Sequence, residues 1–466
     1  MSEKDTNTEQ TEDVAVRQLI DRYNTPVPRY TSYPTALEFE PEFNESIFFE
    51  ALNHMDQNKP ISLYVHIPFC EKRCHYCGCN VIVSRRKEML APFLNDLYKE
   101  IQYKTEKIGF KPLIAQLHFG GGTPNYLALK DWEELIGFLK EHFTFIPEIE
   151  MSVELDPMHL DDNYLSDLKE LGFNRLSFGI QDIHDKIQHA VNREQSFDHI
   201  NACYNTARKL GFDSLNVDFI YGLPYQDEKS FDENIDWIKT HRPDRIAIFS
   251  YAHIPWIKSH QKNMPEEALP DAATKMSIYL SSRKRLLEIG YVAIGIDHYA
   301  VPEDELSRAR EDRSLHRNFM GYTTKANIDM LAFGPSAISQ VGGVFAQNHL
   351  KLRSYESAAR TQTEHFEKGY QMTEEDTLRS EIIQSIMNNL FVDILSINKK
   401  WNIDFWSKFS EEKQHLNAFK SEGLVEFSDS SIEVTKTGSY VVRHIATTFD
   451  AYRGKNDEEK RFSKGI

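Results

Sequence analysis

The sequence predicts an α/β fold, a (βα)6 partial barrel of the TIM type followed by a mostly helical C-terminal domain. Three observations support this: β-rich runs alternate with amphipathic stretches over residues 62–255, the pattern turns helical from Thr373, and a hairpin-like run follows at 423–438. Strand–helix alternation is typical of parallel sheets with right-handed crossovers. Six such units predict a partial barrel.

Each predicted strand is a short run rich in aliphatic and aromatic residues. Helices are predicted between most of them, for example at 91–101 and 130–143, because apolar residues recur there every three or four positions. A further strand-like run is predicted at 291–300. The six predicted barrel strands are residues 62–68, 114–122, 149–157, 175–182, 214–224 and 245–255.

Three domains are expected along the chain. Residues 1–40 form an N-terminal arm, and its first 13 residues are polar and acidic, which predicts disorder. Residues 41–355 form the barrel with extensions, and residues 356–466 form a helical, winged-helix-like domain. Prolines in the arm discourage a helix, whereas its tyrosines supply surface for packing.

Composition and charge exclude several classes of function. The formal net charge is -17, so the basic footprint of a nucleic-acid binder is lacking. The sequence contains no run of about 18 apolar residues, so no membrane span is predicted. The polar, acidic start does not resemble a secretion signal. We therefore expect a cytoplasmic protein without nucleic-acid partners.

Four of the five cysteines lie close together in HIPFCEKRCHYCGCN, residues 66–80. Their C-x3-C-x2-C-x-C spacing lets thiolates converge on the corners of an iron–sulfur cube. Three thiolates leave one iron open for S-adenosylmethionine (SAM). The spacing of Cys70, Cys74 and Cys77 resembles that of the radical SAM superfamily, which implies that these three are the ligands. Cys79 could be a fourth ligand, but it would close the open iron, so we predict that it lies beside the cluster without ligating it. Structural zinc is the alternative, although zinc sites usually use two separated pairs of ligands.

Glycines and polar residues at the ends of later predicted strands indicate a ligand pocket. Residues 120–122 are glycines that allow a ligand to approach the backbone closely, and Glu154 can pair with a ligand ammonium group. Gln181, Arg193 and Asp218 lie on or after later strands, and barrel sites are built at the carboxyl ends of strands. Each residue alone is as well explained as a turn or strand cap, so the prediction depends on the cysteines.

Taken together, these motifs resemble the oxygen-independent coproporphyrinogen III oxidases, or coproporphyrinogen dehydrogenases, of the radical SAM superfamily. The resemblance extends from about Pro28 to the C-terminus. Phe178, Met320 and Pro335 depart from the family pattern as packing-type changes. The matching motifs include PRYTSYPTALEF, SLYVHIPFCEKRCHYCGCN, LHFGGGTP, VELDP, GFNRLSFGIQD, VNREQ, DFIYGLP and GIDHYAVPEDELSRA.

The resemblance implies a radical SAM barrel with a [4Fe-4S] cluster on Cys70, Cys74 and Cys77 and two bound SAM molecules. For the SAM on the open iron, the implied contacts are Tyr64, Gly121 and Glu154. For that SAM or the second one, they are Tyr76, Gly122, Thr123, Gln181, Arg193, Asp218, Ala252 and Ile338.

The resemblance also implies an oxidoreductase that decarboxylates two propionates of coproporphyrinogen III to vinyl groups, giving protoporphyrinogen IX in haem biosynthesis. A SAM-derived deoxyadenosyl radical would remove the propionate β-hydrogen. We expect Tyr30 and Tyr33 of the arm over the barrel mouth. Arg29, Arg317 or other arginines would bind substrate carboxylates. The expected electron donor is a flavodoxin or ferredoxin, and the expected state is a monomer.

Three alternative functions stay open at this point. A haem-binding chaperone of the same superfamily would keep the three ligating cysteines, but such proteins typically carry phenylalanine in place of Cys79 and lack the YTSYPTA arm. A radical SAM enzyme that methylates and opens haem is the second alternative. A structural or DNA-binding role for the C-terminal domain is the third, and the acidic charge disfavours it.

Overall fold

The computed structural model describes residues 14–326 and 328–453, so the predicted disorder of residues 1–13 lies outside the described residues. None of its helices is long and apolar enough to cross a membrane, within the part of the chain that it describes. Its strands are β1 Ile61–Ile67, β2 Phe69–Cys70, β3 Ile82–Val83, β4 Leu113–Gly121, β5 Thr144–Leu155, β6 Arg175–Gln181, β7 Ser214–Tyr221, β8 Arg245–Ser250, β9 Val292–Ile294, β10 His298–Ala300, β11 His316–Asn318, β12 Gly321–Thr323, β13 Met330–Phe333, β14 Ile338–Val341, β15 Val344–Asn348, β16 Phe366–Gln371, β17 Phe391–Asp393, β18 Val425–Phe427 and β19 Ser431–Val434.

The helices lie mainly between the barrel strands and in the last hundred residues. They are α1, described over residues 14–22, α2 Glu45–Asn53, α3 Leu90–Ile108, α4 Leu129–His142, α5 Asp162–Glu170, α6 Asp185–Ala190, α7 Phe197–Lys209, α8 Glu228–His241, α9 Ala272–Glu288, α10 Glu305–Glu311, α11 Leu352–Thr361, α12 Glu374–Asn389, α13 Ile394–Trp401, α14 Phe405–Lys408, α15 Ser410–Ser421 and α16 Val442–Ala446.

One twelve-stranded sheet organises the molecule, in the order β16-β15-β14-β13-β1-β4-β5-β6-β7-β8-β10-β9. The strands β1, β4, β5, β6, β7 and β8 are parallel neighbours, and at least one helix separates each from the next. These are the six predicted strands, so the α/β prediction of a (βα)6 partial barrel is confirmed. Parallel strand order brings all six carboxyl ends to one edge.

Apolar periodicity explains how the helices attach to this sheet. In α3, Phe93, Leu97 and Ile101 are fully buried and recur every four residues, so they form one face toward the strands. The helix ends at Gly109, whose φ of +79° is the left-handed conformation that terminates helices. Strands such as β1 are buried almost throughout, as expected when helices cover a parallel sheet.

The run 291–300 forms two short strands instead of the single predicted one. β9 and β10 pair in antiparallel fashion, and β10 extends the sheet beside β8. The turn between them needs Gly295, which has a φ of +60° and lies so close to Tyr322 that a Cβ would meet its hydroxyl oxygen at 1.8 Å. At the other edge, beyond β1, the sheet continues through β13, β14 and β15 to β16. Strand β16 lies after residue 355, the predicted end of the barrel domain.

A second hydrophobic core joins the arm to the helices of the C-terminal segment. The predicted hairpin at 423–438 is confirmed as β18 and β19, with β17 as an additional partner. Tyr30 and Tyr33 are buried in this core, where Tyr30 donates to Asp450 at 2.9 Å and Tyr33 accepts the Ala451 N–H at 2.9 Å. Neither tyrosine is among the described residues that line the cavity at the barrel mouth, so the expectation that the arm covers the mouth is not carried by these two side chains. The domain boundaries stay predictions.

Candidate active site

A cavity of about 430 Å³ opens at the carboxyl ends of the parallel strands, and we call it the active-site cavity. Its walls are the cysteine loop after β1 and the residues that end or follow β4 to β8. Tyr64 and Ile338 are not among the described residues that line it. The predicted site residues that do line it are Cys70, Cys74, Tyr76, Cys77, Gly121, Gly122, Thr123, Glu154, Gln181, Arg193, Asp218 and Ala252.

The cysteine loop gives each thiol a different environment. Cys70 is buried, its sulfur lies 3.2 Å from the Thr123 hydroxyl, and burial raises the pKa of the Cys70 thiol to about 12. A hydrogen bond from the exposed Cys79 lowers the pKa of Cys77 to about 6 against the effect of burial. The thiolate is the form that binds iron, so the hydrogen bond from Cys79 favours the form of Cys77 that can act as a ligand.

The cysteine thiols of the cavity suit an iron–sulfur cluster better than a single metal ion. Among the described residues, no three His, Cys, Asp or Glu side chains converge closely enough to hold one metal ion. In a [4Fe-4S] cluster each iron takes its own thiolate, so the ligands lie farther apart. Cys70, Cys74 and Cys77 line the same cavity, and this set of thiols fits such a cluster.

The glycine turn at the end of β4 allows the backbone to pass close to the cysteine loop. Gly121 has a φ of +116°, and a Cβ there would meet the His66 imidazole at 2.6 Å. A Cβ on Gly122 would lie 2.7 Å from the carbonyl oxygen of Phe69. Only glycine fits at these two positions, and the Gly122 N–H donates to the Ile67 carbonyl at 2.8 Å.

Glu154, on β5, connects the glycine turn with a histidine. Its carboxylate accepts the Gly121 N–H at 3.1 Å and lies 3.4 Å from Nε2 of His118. Burial raises the pKa of Glu154, but His118 and the Gly121 amide outweigh burial, so the pKa lies below its usual value. Tyr64 stacks on His118, with ring centroids 5.9 Å apart. An ionised carboxylate at this place suits a ligand ammonium group.

Arg193 is fixed beside the cysteine loop by a carboxylate that the sequence analysis missed. Two guanidinium nitrogens lie 3.2 Å from the two oxygens of Asp156, and another contact places Nη1 3.5 Å from the Cys74 sulfur. Arg193 also donates to the Gly179 carbonyl at 2.7 Å. The available signal was the position of Asp156, two residues after Glu154 in VELDP.

Asp218, on β7, lies where the active-site cavity meets the polar barrel lumen. It accepts hydrogen bonds from Asn216 at 2.8 Å and Ser177 at 3.2 Å. Burial and the charge of Glu154 raise the pKa of Asp218 to about 6. The lumen, about 240 Å³, is lined by charged side chains such as Arg175, to which the sequence patterns assigned no role.

The other predicted residues have mixed placements. Gln181 ends β6 with a φ of +70°, a conformation that is uncommon outside glycine and recurs at functional sites. Ala252 follows β8 and Tyr76 packs near Tyr251, both on the cavity wall. Ile338 begins β14 and pairs there with Gln347.

Comparison with known proteins agrees with this geometry. The radical SAM superfamily model matches residues 64–238. An oxygen-independent coproporphyrinogen III oxidase from Synechocystis sp. is 40% identical over 454 residues, 96% of this chain and 97% of that protein. The corresponding enzyme from Escherichia coli is 40% identical over 448 residues, 96% of this chain and 98% of that protein.

A solved structure extends the comparison to three dimensions. The structure of coproporphyrinogen III oxidase from Escherichia coli, a radical SAM enzyme, superposes with a TM-score of 0.88 at 40% identity and covers 91% of this chain and 97% of that one. Relatives of this identity and coverage, together with the cysteine loop at the strand ends, show that the chain belongs to the oxygen-independent coproporphyrinogen III oxidase family of the radical SAM superfamily.

Proposed function

We propose that the active-site cavity is where this enzyme carries out its reaction. As a family member, the chain is an oxygen-independent coproporphyrinogen III oxidase, which converts two propionates of its substrate to vinyl groups and yields protoporphyrinogen IX. One observation supports the location best: residues from Cys70 to Ala252, which belong to six strand–helix units, line a single cavity at the carboxyl ends of the strands.

Cys70, Cys74 and Cys77 would hold the [4Fe-4S] cluster that this family uses with SAM. Three protein thiolates leave one iron available to SAM. When bound, the cluster and SAM supply the radical that removes hydrogen from the propionate β-carbon. Cys79 would donate a hydrogen bond to the Cys77 sulfur and so adjust the cluster from outside its ligand set.

The polar residues of the cavity would orient SAM. Glu154 and Gly121 would contact the SAM on the open iron, with Tyr64 holding His118 against Glu154. Arg193, held by Asp156, would clamp a carboxylate in bidentate fashion. The remaining contacts proposed for this SAM or a second one are Tyr76, Gly122, Thr123, Gln181, Asp218, Ala252 and Ile338.

The partners and location belong to the same proposal. A flavodoxin or ferredoxin would deliver electrons where the cysteine loop reaches the surface, at the exposed Gly78 and Cys79. We propose a monomer, which light scattering would report as the mass of one chain. A cytoplasmic location suits thiols that must stay reduced.

Anaerobic turnover tests the proposed function. Protein reconstituted with iron and sulfide, then supplied with dithionite, SAM and coproporphyrinogen III, should form protoporphyrinogen IX. Tight haem binding without product would instead favour the haem chaperone, and methylated, opened haem would favour the haem-degrading enzyme. The similarity to curated oxidases over 96% of the chain favours the first outcome.

A further inference from the structure

A second cavity of about 400 Å³ adjoins the active-site cavity. It lies between the arm, α9 and α16, and it shares wall residues such as Tyr251 and Ala252 with the active-site cavity. We call it the cationic cavity, because only one carboxylate accompanies four cationic side chains among the described residues that line it. These five residues are Arg29, Lys275, Arg283, Arg443 and Asp297.

One face of α9 supplies two of these cations. Lys275, Tyr279 and Arg283 follow each other at intervals of four residues and therefore share a helix face, and all three line the cavity. Lys275 donates to the Tyr251 carbonyl at 2.7 Å, and the guanidinium carbon of Arg283 lies 5.1 Å from the centroid of the Tyr440 ring. Both cationic groups are thus held in place at the wall.

Arg443 supplies charge from the opposite wall. It is only 7% exposed, and its Nε donates to the Pro28 carbonyl at 3.0 Å. Burial and the nearby charge of Arg29 lower the pKa of Arg443 to about 9. A buried guanidinium next to other cations is stabilised when an anion approaches it.

Asp297, the carboxylate among the described lining residues, is already engaged by other groups. Asp297 is already bound to Arg29, and it also lies 2.6 Å from Nδ1 of His298. Arg283 keeps unused hydrogen-bonding capacity, since no group in residues 14–326 or 328–453 accepts a hydrogen bond from its buried Nε. An unpaired buried donor costs free energy, and a carboxylate is the acceptor that matches a guanidinium best.

We infer that the cationic cavity binds propionate carboxylates of the tetrapyrrole that are not reacting, with Arg283 as the principal contact. This inference rests on the proposed function, which supplies a substrate with four carboxylates. Tyrosines such as Tyr279 and Tyr440 also line the cavity and supply aromatic surface for the pyrroles. The shared wall allows one molecule to extend from the cationic cavity into the active-site cavity, with the reacting propionate directed toward the cysteine loop.

Arg283→Gln tests the inference, and Arg285→Gln is its matched control. Arg285 lies on the same helix but pairs with Asp232 at 3.0 Å and Asp236 at 2.6 Å, outside the cavity lining. Binding of coproporphyrin III, a stable tetracarboxylate, is followed by fluorescence quenching, and KM for coproporphyrinogen III is measured anaerobically. Arg283→Gln should raise both Kd and KM at least about tenfold, with a smaller change in kcat, because it loses a charged contact.

The control should differ from the native enzyme by less than about twofold, as expected of an ion pair with solvent-exposed partners. Arg283→Lys should recover part of the lost affinity, because it restores the charge but not the planar fork. If Arg283→Gln does not fold, Lys275→Gln on the same helix face carries the same expectation. Equal Kd and KM values for the test and control variants, in an enzyme that turns over, would overturn the inference alone. A native enzyme without turnover would overturn the proposed function. It would also remove the tetracarboxylate substrate on which this inference rests.

Discussion

The two adjoining cavities differ in how the chain builds them. The active-site cavity takes side chains from the carboxyl ends of successive parallel strands and from one cysteine loop, so a repeated structural unit places them. The cationic cavity joins Arg29 of the arm, one face of α9 and Arg443 near the end of the chain. Local geometry therefore forms the site proposed for the chemistry, whereas long-range packing forms the surface proposed for substrate recognition.

The largest effect should come from removing a proposed cluster ligand. Cys74→Ser should abolish both the cluster and turnover, because a neutral hydroxyl replaces the thiolate that iron requires. Iron and sulfide content, the visible absorbance of the cluster and product formation are the measurements. A Cys74→Ser protein that retained a full cluster and turned over would remove Cys74 from the ligand set.

Two further cysteines serve as controls for that result. Cys203 is buried in the barrel core, so Cys203→Ser should keep the cluster. Cys79→Ser should also keep it, but turnover should fall by about 10- to 100-fold, the usual effect of losing a group that supports a ligand. Loss of the whole cluster in Cys79→Ser would make Cys79 a ligand.

The next effect concerns the glycine turn that separates β4 from the cysteine loop. Gly121→Ala should lower the free energy of unfolding by about 2–4 kcal/mol, because the new Cβ combines a clash with His66 and an unfavourable positive φ. Urea unfolding measures this change. Gly137→Ala in α4 is the matched control: no atom lies within 4 Å of its Cβ, so it should stabilise the protein by about 0.5–1 kcal/mol. Equal stabilities of the two variants would contradict the close approach of Gly121 to the His66 imidazole.

A pH-dependent effect should distinguish the buried side chains of the active-site cavity. Burial and the charge of Glu154 raise the pKa of Asp218 from its usual value of 3.8 to about 6, so ionisation of Asp218 opposes folding. This cost begins above the pKa of the unfolded chain and is complete above the pKa of the folded protein. Asp218→Asn should therefore gain about 1–3 kcal/mol over the native protein at pH 8 and about a third of that gain near pH 4.5. Thermal unfolding of cluster-free protein between these pH values measures the gain, and a difference that stays constant with pH would contradict the burial of Asp218.

The smallest effect tests how the arm is attached beside the cationic cavity. Tyr33→Phe removes the acceptor for the Ala451 N–H and should lower the free energy of unfolding by about 1 kcal/mol. Tyr98→Phe is the control, since the Tyr98 hydroxyl is buried without a hydrogen-bond partner in the described residues, and its removal should be neutral or stabilising. Urea unfolding that ranked the two variants in the opposite order would contradict the contact.

Sequence patterns predicted the features that depend on neighbouring residues. The alternation of strands and helices predicted the six parallel strands, and the cysteine spacing predicted a single metal-binding loop. The split of the run 291–300 was not predictable, because it depends on the contact of Gly295 with Tyr322. The placement of Tyr30 and Tyr33 likewise depends on partners more than 400 residues later in the chain.

The same division holds for the site. The sequence predicted the site residues that stand in motifs at strand ends. It missed Asp156, although this carboxylate fixes Arg193. No local sequence pattern predicted that the cations of the cationic cavity would lie together. Arg29 lines that cavity but is bound to Asp297, and Arg317 is not among the described residues that line it. The cations that accompany Asp297 come from the arm, α9 and α16, so their grouping could be identified only from the folded structure.

The most direct test of the account is electron paramagnetic resonance of the anaerobically reduced protein with and without SAM. With three cysteine ligands and one iron available, the reduced cluster should give a signal whose g-values change when SAM is added. A protein without a cluster signal, or with a signal that SAM leaves unchanged, would contradict the central claim that this cavity holds an open [4Fe-4S] cluster.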